Sequence, residues 1–222
     1  MFKYHNLKKF LDALVAVIAI VLTAPIMALT IFMLVLSGES SPILAQWRVG
    51  RSGHLFLFYK FRTMKRLEGD DKGSSLTLAN DARITFLGRL LRASKIDEFP
   101  QFFNVLNGDI SFVGPRPMMP EIFKMYRKEE QLIIASVKPG ITGLGSIIFR
   151  DEQAILVNSA KPSTVVYKQQ IAPTKAKLEV WYVENQSLLV DFKLLMVTVW
   201  SVLYSRTRLV YRLFKNIPRY QL

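Results

Sequence analysis

From residue 13 to residue 36 the chain reads ALVAVIAIVLTAPIMALTIFMLVL, 24 positions without a charged side chain. A helix rising about 1.5 Å per residue makes this run about 36 Å long, enough to cover a hydrocarbon core of about 30 Å. It is too long for a signal-peptide apolar region, and no small-x-small cleavage site precedes Glu39, so the segment is expected to be retained. Beyond it the pattern changes. Residues 46–50, a Gly-bounded turn and residues 55–61 predict a β-hairpin. Residues 67–78 are polar and rich in Gly and Ser, which predicts a mobile loop. Leu87, Leu90 and Leu91 fall on one face of a helix predicted over 84–94. Three prolines preclude regular structure over 113–120, a helix with Pro at its first position is predicted over 120–131, and 139–143 reads as a turn. Near the end, residues 194–204 are apolar but too short to span a membrane. Arg206, Arg208, Arg212 and Lys215 follow, interleaved with apolar side chains.

Charge changes the reading of both ends. The net charge is +13, with 30 Lys and Arg against 17 Asp and Glu, so the partners should be anionic: nucleic acid, lipid headgroups or phosphorylated small molecules. Lys3, Lys8 and Lys9 precede the long apolar run, while Arg48, Arg51, Lys60 and Arg62 follow it. The positive-inside rule wants both flanks in the cytoplasm. Pro25 removes a hydrogen bond in mid-run, so a kinked, re-entrant helix satisfies both flanks; a straight single span remains the alternative. At the other end, Trp200, Tyr204 and Tyr211 with the basic tail suit helices lying in an anionic membrane interface. Over 188–200 an ordinary helix packed on the core fits equally well. The expected organisation is a membrane helix over 1–39, a catalytic domain over 40–187 and membrane-associated helices over 188–222.

Composition also limits the chemistry. There is no cysteine and there are two histidines, His5 and His54, which excludes thiol chemistry and disfavours a serine triad or a His-rich metal centre. Carboxylates, Lys, Arg, hydroxyls and an oxygen-ligated metal remain. Two glycine-rich decoys fail: GITGLG at 140–145 lacks the dinucleotide spacing, and no GxxxxGK[ST] is present. Asp97 and Glu98 stand side by side in KIDEFPQ, and Pro100 with Asn107-Gly108 predicts a helix over 98–106 with Asp97 as its N-cap. Capping and dipole complementation alone would account for both acids. Yet Arg83, Arg89, Arg92 and Lys95 precede them, and Arg116 follows in a rigid Pro-Arg-Pro. A carboxylate beside cations can attack phosphorus, and a second can hold a divalent metal or move a proton. Phosphoryl transfer at a membrane surface uses those parts.

The segments KKFLD (8–12), RVG (48–50), KFRTM (60–64), DARIT (81–85), DEFPQ (97–101), NGDISFVGPRP (107–117), KPGITG (138–143) and WYVEN (181–185) occur in this order. Singly each is weak; together, over about 180 residues, they give a chain that resembles the bacterial sugar transferases, the small monotopic phosphoglycosyl transferases. The resemblance implies an α+β fold, mostly helical, with a small hairpin, an N-terminal re-entrant helix broken at Pro25 and interfacial amphipathic helices. It implies transfer of a sugar-1-phosphate from a UDP-sugar to polyprenol (undecaprenyl) phosphate, with release of UMP, at the cytoplasmic face of the bacterial inner membrane. Asp97 matches the family nucleophile that forms a covalent phosphosugar. Glu98 matches its partner toward Mg2+ or a proton, and both carboxylates are the implied metal ligands. Arg92 and Arg116 match phosphate-holding arginines, and Lys60, Arg62 and Arg83 lie in matching motifs. Thr23-Ala24-Pro25 replaces the usual Ser-Pro break, and Thr23 is expected to offer its hydroxyl to the backbone there. LGS follows Gly143 in place of Trp-Ala-Gln, and residues 147–175 are where sugar selectivity is expected to differ. A non-catalytic scaffold is disfavoured by the intact acidic pair, and a nucleic-acid partner by the absence of a recognised motif. Oligomeric state stays open, a homodimer included.

Overall fold

In the computed structural model, residues 2–65, 81–157, 159, 162–204, 208–214 and 216–219 are described. The long apolar run forms one helix, α1 (Phe2–Leu36), unbroken through Pro25. Thr23 Oγ1 donates to Ala19 O at 2.6 Å, as expected for a hydroxyl beside the proline. Ala16, Met27, Thr30 and Leu34 are buried at helical spacing and make one inward stripe. Over residues 13–36 most of the remaining circumference is apolar and exposed, including Val21, Leu22, Leu29 and Leu36. By length and composition α1 is able to cross a membrane.

The predicted hairpin is present as β1 (Ile43–Val49) and β2 (Leu55–Phe61), antiparallel, running from Ile43 opposite Phe61 to Val49 opposite Leu55. Helix α2 (Phe86–Ser94) begins at Thr85, whose hydroxyl accepts from Gly88 N at 2.9 Å. It buries Leu91, whereas Leu90 points outward with Phe86, so the predicted leucine face is narrower than expected. Lys95, at φ 62°, ends α2 in the left-handed region.

Next comes a correction at the acidic pair. Residues Ile96–Glu98 form a 3-10 turn, and α3 (Gln101–Asn107) starts after Pro100, without a side-chain cap. Asp97 is therefore not an N-cap. The αL residue at 95 reverses the chain, so the first turn is spent on a tight bend before Pro100 fixes the helical φ. Gly108, at φ 83°, stops α3 as predicted.

Two more local readings change. Residues 139–143 are not merely a turn: β4 (Gly140–Thr142) pairs in parallel with β3 (Ser111–Val113). A Cβ on Gly140 would lie 2.1 Å from Gly114 N, so only glycine permits this approach of backbones. The single helix expected over 120–131 is two: α4 (Pro120–Phe123), with Pro at its first turn, and α5 (Lys128–Ala135), entered through Arg127 and Glu130. Then follow α6 (Leu144–Ile148), α7 (Glu152–Val157), α8 (Ser163–Val166), a π turn (Tyr167–Ile171), α9 (Ala172–Asn185), α10 (Leu188–Leu203) and α11 (Arg208–Leu213).

The main core lies around α9, where Leu178 and Tyr182 meet Val113, Leu144, Ile147, Tyr167 and Leu194. Two smaller clusters join α1 to the rest: Ala16 with Phe58, Val105 and Ile110, and Met27 and Leu34 with Phe61 and Leu91. Residues 188–200 form a helix packed on the core by one face. Leu194 and Val197 are in the core, while Leu189, Phe192, Met196, Val199 and Trp200 form an exposed apolar face. On α11 Val210 is buried and Arg212 is exposed. The polar loop predicted over 67–78 and the tail cations Arg206 and Lys215 lie outside the described residues, as does the side chain of Arg208.

Candidate active site

Four elements converge on the acidic pair. The 3-10 turn carries Asp97 and Glu98, β2 carries Lys60, α2 carries Arg92, and the loop after β3 carries Arg116. Lys60 Nζ lies 2.9 Å from Glu98 Oε1 and 3.9 Å from Asp97 Oδ2. Arg116 Nη2 reaches the same Glu98 oxygen at 3.4 Å. Arg92 is fixed by Thr63, its Nε donating to Oγ1 at 2.8 Å, and its charge is felt at Asp97.

The two carboxylates are not equivalent. Burial would raise Glu98, but Lys60, Arg116 and Lys95 overcome it and hold Glu98 well below the usual carboxylate range. It is a fixed anion. Asp97 is pushed up, chiefly by burial and also by the neighbouring Glu98, against the pull of Lys60, Lys95 and Arg92. Its Oδ1 is buried and has no hydrogen-bond partner. A carboxylate that neither caps a helix nor satisfies both oxygens has a lone pair to direct at an incoming electrophile. Burial lowers Lys60, with Glu98 opposing and Arg116 adding to the fall.

Of the predicted residues, Asp97, Glu98, Lys60, Arg92 and Arg116 are brought together. Arg62 and Arg83 are not in direct contact with the pair. Arg62 Nε donates to Ser41 O at 2.9 Å and sits 3.4 Å from Glu39 Oε1, tying down the exit of α1. Arg83 binds Asp81 through its backbone N–H and its guanidinium, the closest contact being 2.7 Å. Pro25 lies within the long apolar helix α1, not in this cluster.

Behind Arg116 is a second polar group that the sequence reading missed. Glu179 of α9 is buried; its Oε1 accepts from Arg116 N at 3.3 Å, and its Oε2 has no partner. Gly145 makes the room, since a Cβ there would lie 2.4 Å from Glu179 Oε1. Burial pushes Glu179 up to about 7 despite the Arg116 N–H, Lys175 and Arg116. One turn earlier Lys175 pairs with Glu152. The only available signal was Lys175 and Glu179 at four-residue spacing, which more often marks a solvated helix face.

As for a metal, no group of three carboxylate or imidazole side chains converges among the described residues. Hard divalent ions such as Mg2+ are commonly held by one or two carboxylates together with substrate phosphates. The unpartnered Asp97 Oδ1 and the neighbouring Glu98 fit that kind of shared site.

With the geometry in place, comparison with known proteins is informative. The family description "bacterial sugar transferase" matches residues 3–205. An uncharacterized sugar transferase, EpsL, of Bacillus subtilis (strain 168) is 38% identical over 199 residues, 90% of this chain and 88% of that protein. A UDP-N-acetylgalactosamine-undecaprenyl-phosphate N-acetylgalactosaminephosphotransferase of Aeromonas hydrophila is 31% identical over 204 residues, 90% of this chain and 44% of that protein. A UDP-glucose:undecaprenyl-phosphate glucose-1-phosphate transferase of Klebsiella pneumoniae is 33% identical over 197 residues, 87% of this chain and 39% of that protein. The chain therefore spans less than half the length of these two phosphotransferases and most of EpsL. Matched over nearly its whole described length, the chain belongs to the bacterial sugar transferase family.

Proposed function

We propose that this protein transfers a sugar-1-phosphate from a UDP-sugar to a polyprenol phosphate such as undecaprenyl phosphate, as an early membrane step in glycan assembly. The observation that carries this reading is Asp97: buried, flanked by Lys60 and Arg92, and with one oxygen unpartnered. An Asp97 oxygen attacks the sugar-bearing phosphorus; the bond from that phosphorus to the bridging oxygen breaks, and its electron pair leaves on UMP. A polyprenol phosphate oxygen then displaces the aspartyl oxygen, giving a polyprenyl diphosphate sugar and restoring the carboxylate. Lys60, Arg92 and Arg116 oppose the charge that develops on the transferring phosphoryl group. Glu98, held ionised, keeps Lys60 and Arg116 in place. Mg2+, if held between Asp97, Glu98 and the diphosphate oxygens, would neutralise charge on the diphosphate.

The same fold supports a one-sided membrane placement. Both ends of α1 are tied to one globular body. Near its start, Tyr4 and Lys8 reach Asp191 of α10 at 2.8 and 2.6 Å, and Asp12 Oδ1 accepts from Phe112 N at 3.2 Å. At its end, Glu39 meets Arg62. A continuous helix so held enters and leaves by one face through a bend at Pro25, with its bare apolar side and the exposed face of α10 in lipid. The cytoplasmic face of a bacterial inner membrane, with its anionic lipid, suits the charge of +13.

The test is UMP release from a panel of UDP-sugars by purified protein with Mg2+ and polyprenol phosphate. At least one sugar should release UMP in a lipid-dependent way. No release with any donor would defeat the assignment.

A further inference from the structure

One half-buried cation near the site has no role in the chemistry above. The hairpin register sets Arg48 opposite Phe56, Gln46 opposite Phe58 and Leu44 opposite Lys60, so Gln46, Arg48, Phe58 and Lys60 share a face. Phe58 is buried there, and both Lys60 Nζ and Arg48 Cζ stand 5.6 Å from its ring centroid. The two cations then end differently. Lys60 reaches Glu98. Arg48 Nη2 donates only to Gln46 Oε1, at 2.9 Å, and its Nε is buried without a partner. Among the described residues no carboxylate lies within ion-pair distance of Arg48.

The neighbouring residue locks this strand to the site. Val49 N donates to Met118 O at 2.9 Å, two residues past Arg116, and so stitches β1 to the Pro-Arg-Pro loop. Arg48 and Arg116 are close enough that burial, helped by the Arg116 charge, pushes the Arg48 guanidinium down to about 10. Glu121 of α4 and Tyr167 pull the other way, but Glu121 is exposed and forms no ion pair with Arg48. The Val49–Met118 bond and the Phe58 ring shared with Lys60 thus set Arg48 on the hairpin side of a site where Glu98 is already engaged by Lys60 and Arg116. Packing on Phe58 explains the stem of Arg48. It does not explain a buried, unpartnered Nε beside a second cation. Like charges are held together this way where a ligand brings the counter-ion.

We propose that Arg48 and Arg116 form a phosphate subsite on the hairpin side of Glu98, which takes the nucleotide-side phosphate of the UDP-sugar. This rests on the donor assignment above. The sugar-side phosphorus has to face Asp97, whose neighbouring charges are Lys60, Glu98, Lys95 and Arg92. Arg116 holds Glu98 beside Asp97 and is joined to the Arg48 strand through the Val49–Met118 bond, so in this proposal it bridges the two phosphates. When the bond to UMP breaks, negative charge accumulates on the nucleotide phosphate, where the Arg48 fork receives it. Lys at this position would keep the charge and lose the fork.

The experiment is calorimetric titration of the purified full-length protein with UMP and with uridine, for wild type, Arg48→Gln and Arg48→Lys. Thermal unfolding of each variant is recorded alongside. Arg48→Gln should weaken UMP at least tenfold and leave uridine unchanged, with Arg48→Lys between it and wild type. Wild-type affinity for UMP in a folded Arg48→Gln overturns the subsite. Should Arg48→Gln fail to fold, Arg48→Lys decides: unchanged UMP affinity overturns the fork, and a loss confined to UMP supports it. Wild-type protein that binds neither UMP nor uridine removes the donor assignment itself, a separate result.

Discussion

Lys60 carries an unusual share of the site, because a single ammonium serves two carboxylates with opposed titration behaviour. It holds Glu98 down and restrains the rise of Asp97. If Asp97 must be ionised to attack, kcat/KM falls on the acid side as Asp97 gains its proton, at a pH above the ordinary Asp value of 3.8. Lys60→Met removes a positive charge that lowers Asp97, so this acid limb should move to higher pH while the rate drops roughly 100-fold. A pH–rate profile that keeps its acid limb in Lys60→Met contradicts the coupling. Glu179 gives a second pH effect, on stability. Its folded value, about 7, exceeds the free value of 4.5, so the folded protein retains a proton that the unfolded chain has lost. Stability therefore falls as pH rises from about 5 through 7, by up to about 1.4 kcal/mol per pH unit. Glu179→Gln should flatten this slope and be the more stable protein at pH 8, as read by chemical denaturation in detergent at several pH values.

At the scale of elements, close backbone contacts set the geometry. Gly88 packs against the chain beside the hairpin, where a Cβ would lie 2.1 Å from Thr63 O. In an exposed helix Gly→Ala is worth about 1 kcal/mol of stability. Here the sign reverses: Gly88→Ala should cost about 2 kcal/mol and displace Arg92 from Thr63, lowering both the melting temperature and activity. A stabilised Gly88→Ala enzyme would contradict the packing. These contacts also explain what the sequence could and could not disclose. The hairpin was legible because its alternation is local, and the long apolar helix because 24 uncharged residues admit few alternatives. The pairing of β3 with β4 was not, since it joins residues nearly thirty apart through glycines that read as a turn. Asp97 shows the same limit: Asp before Pro looks like a cap, and only the left-handed Lys95 shows that the helix begins later. Glu179 was invisible because burial of a helical glutamate depends on Gly145, far off in sequence. By contrast, clustering of Lys60, Arg92 and Arg116 about the acidic pair followed from charge and the family motifs.

Across the whole molecule, the long apolar helix and the site are one construction. α1 shares its buried stripe with the hairpin, α2 and α3, and its ends are clamped to α10 and to Arg62. Because the chain has no cysteine, single cysteines at Lys3 and Ser41 can be labelled without background. In inverted membrane vesicles and spheroplasts both should react from the cytoplasmic side; opposite-side labelling would mean a straight span. In the proposed function, such a placement would set Asp97 beside the surface from which a lipid phosphate arrives. The most direct test of that role is intact-mass spectrometry of the protein incubated with its UDP-sugar and no lipid acceptor. Wild type should gain the mass of one sugar phosphate and lose it when polyprenol phosphate is added, while Asp97→Asn gains nothing and releases no UMP. An Asp97→Asn protein that still forms the adduct, or still turns over, would contradict the account.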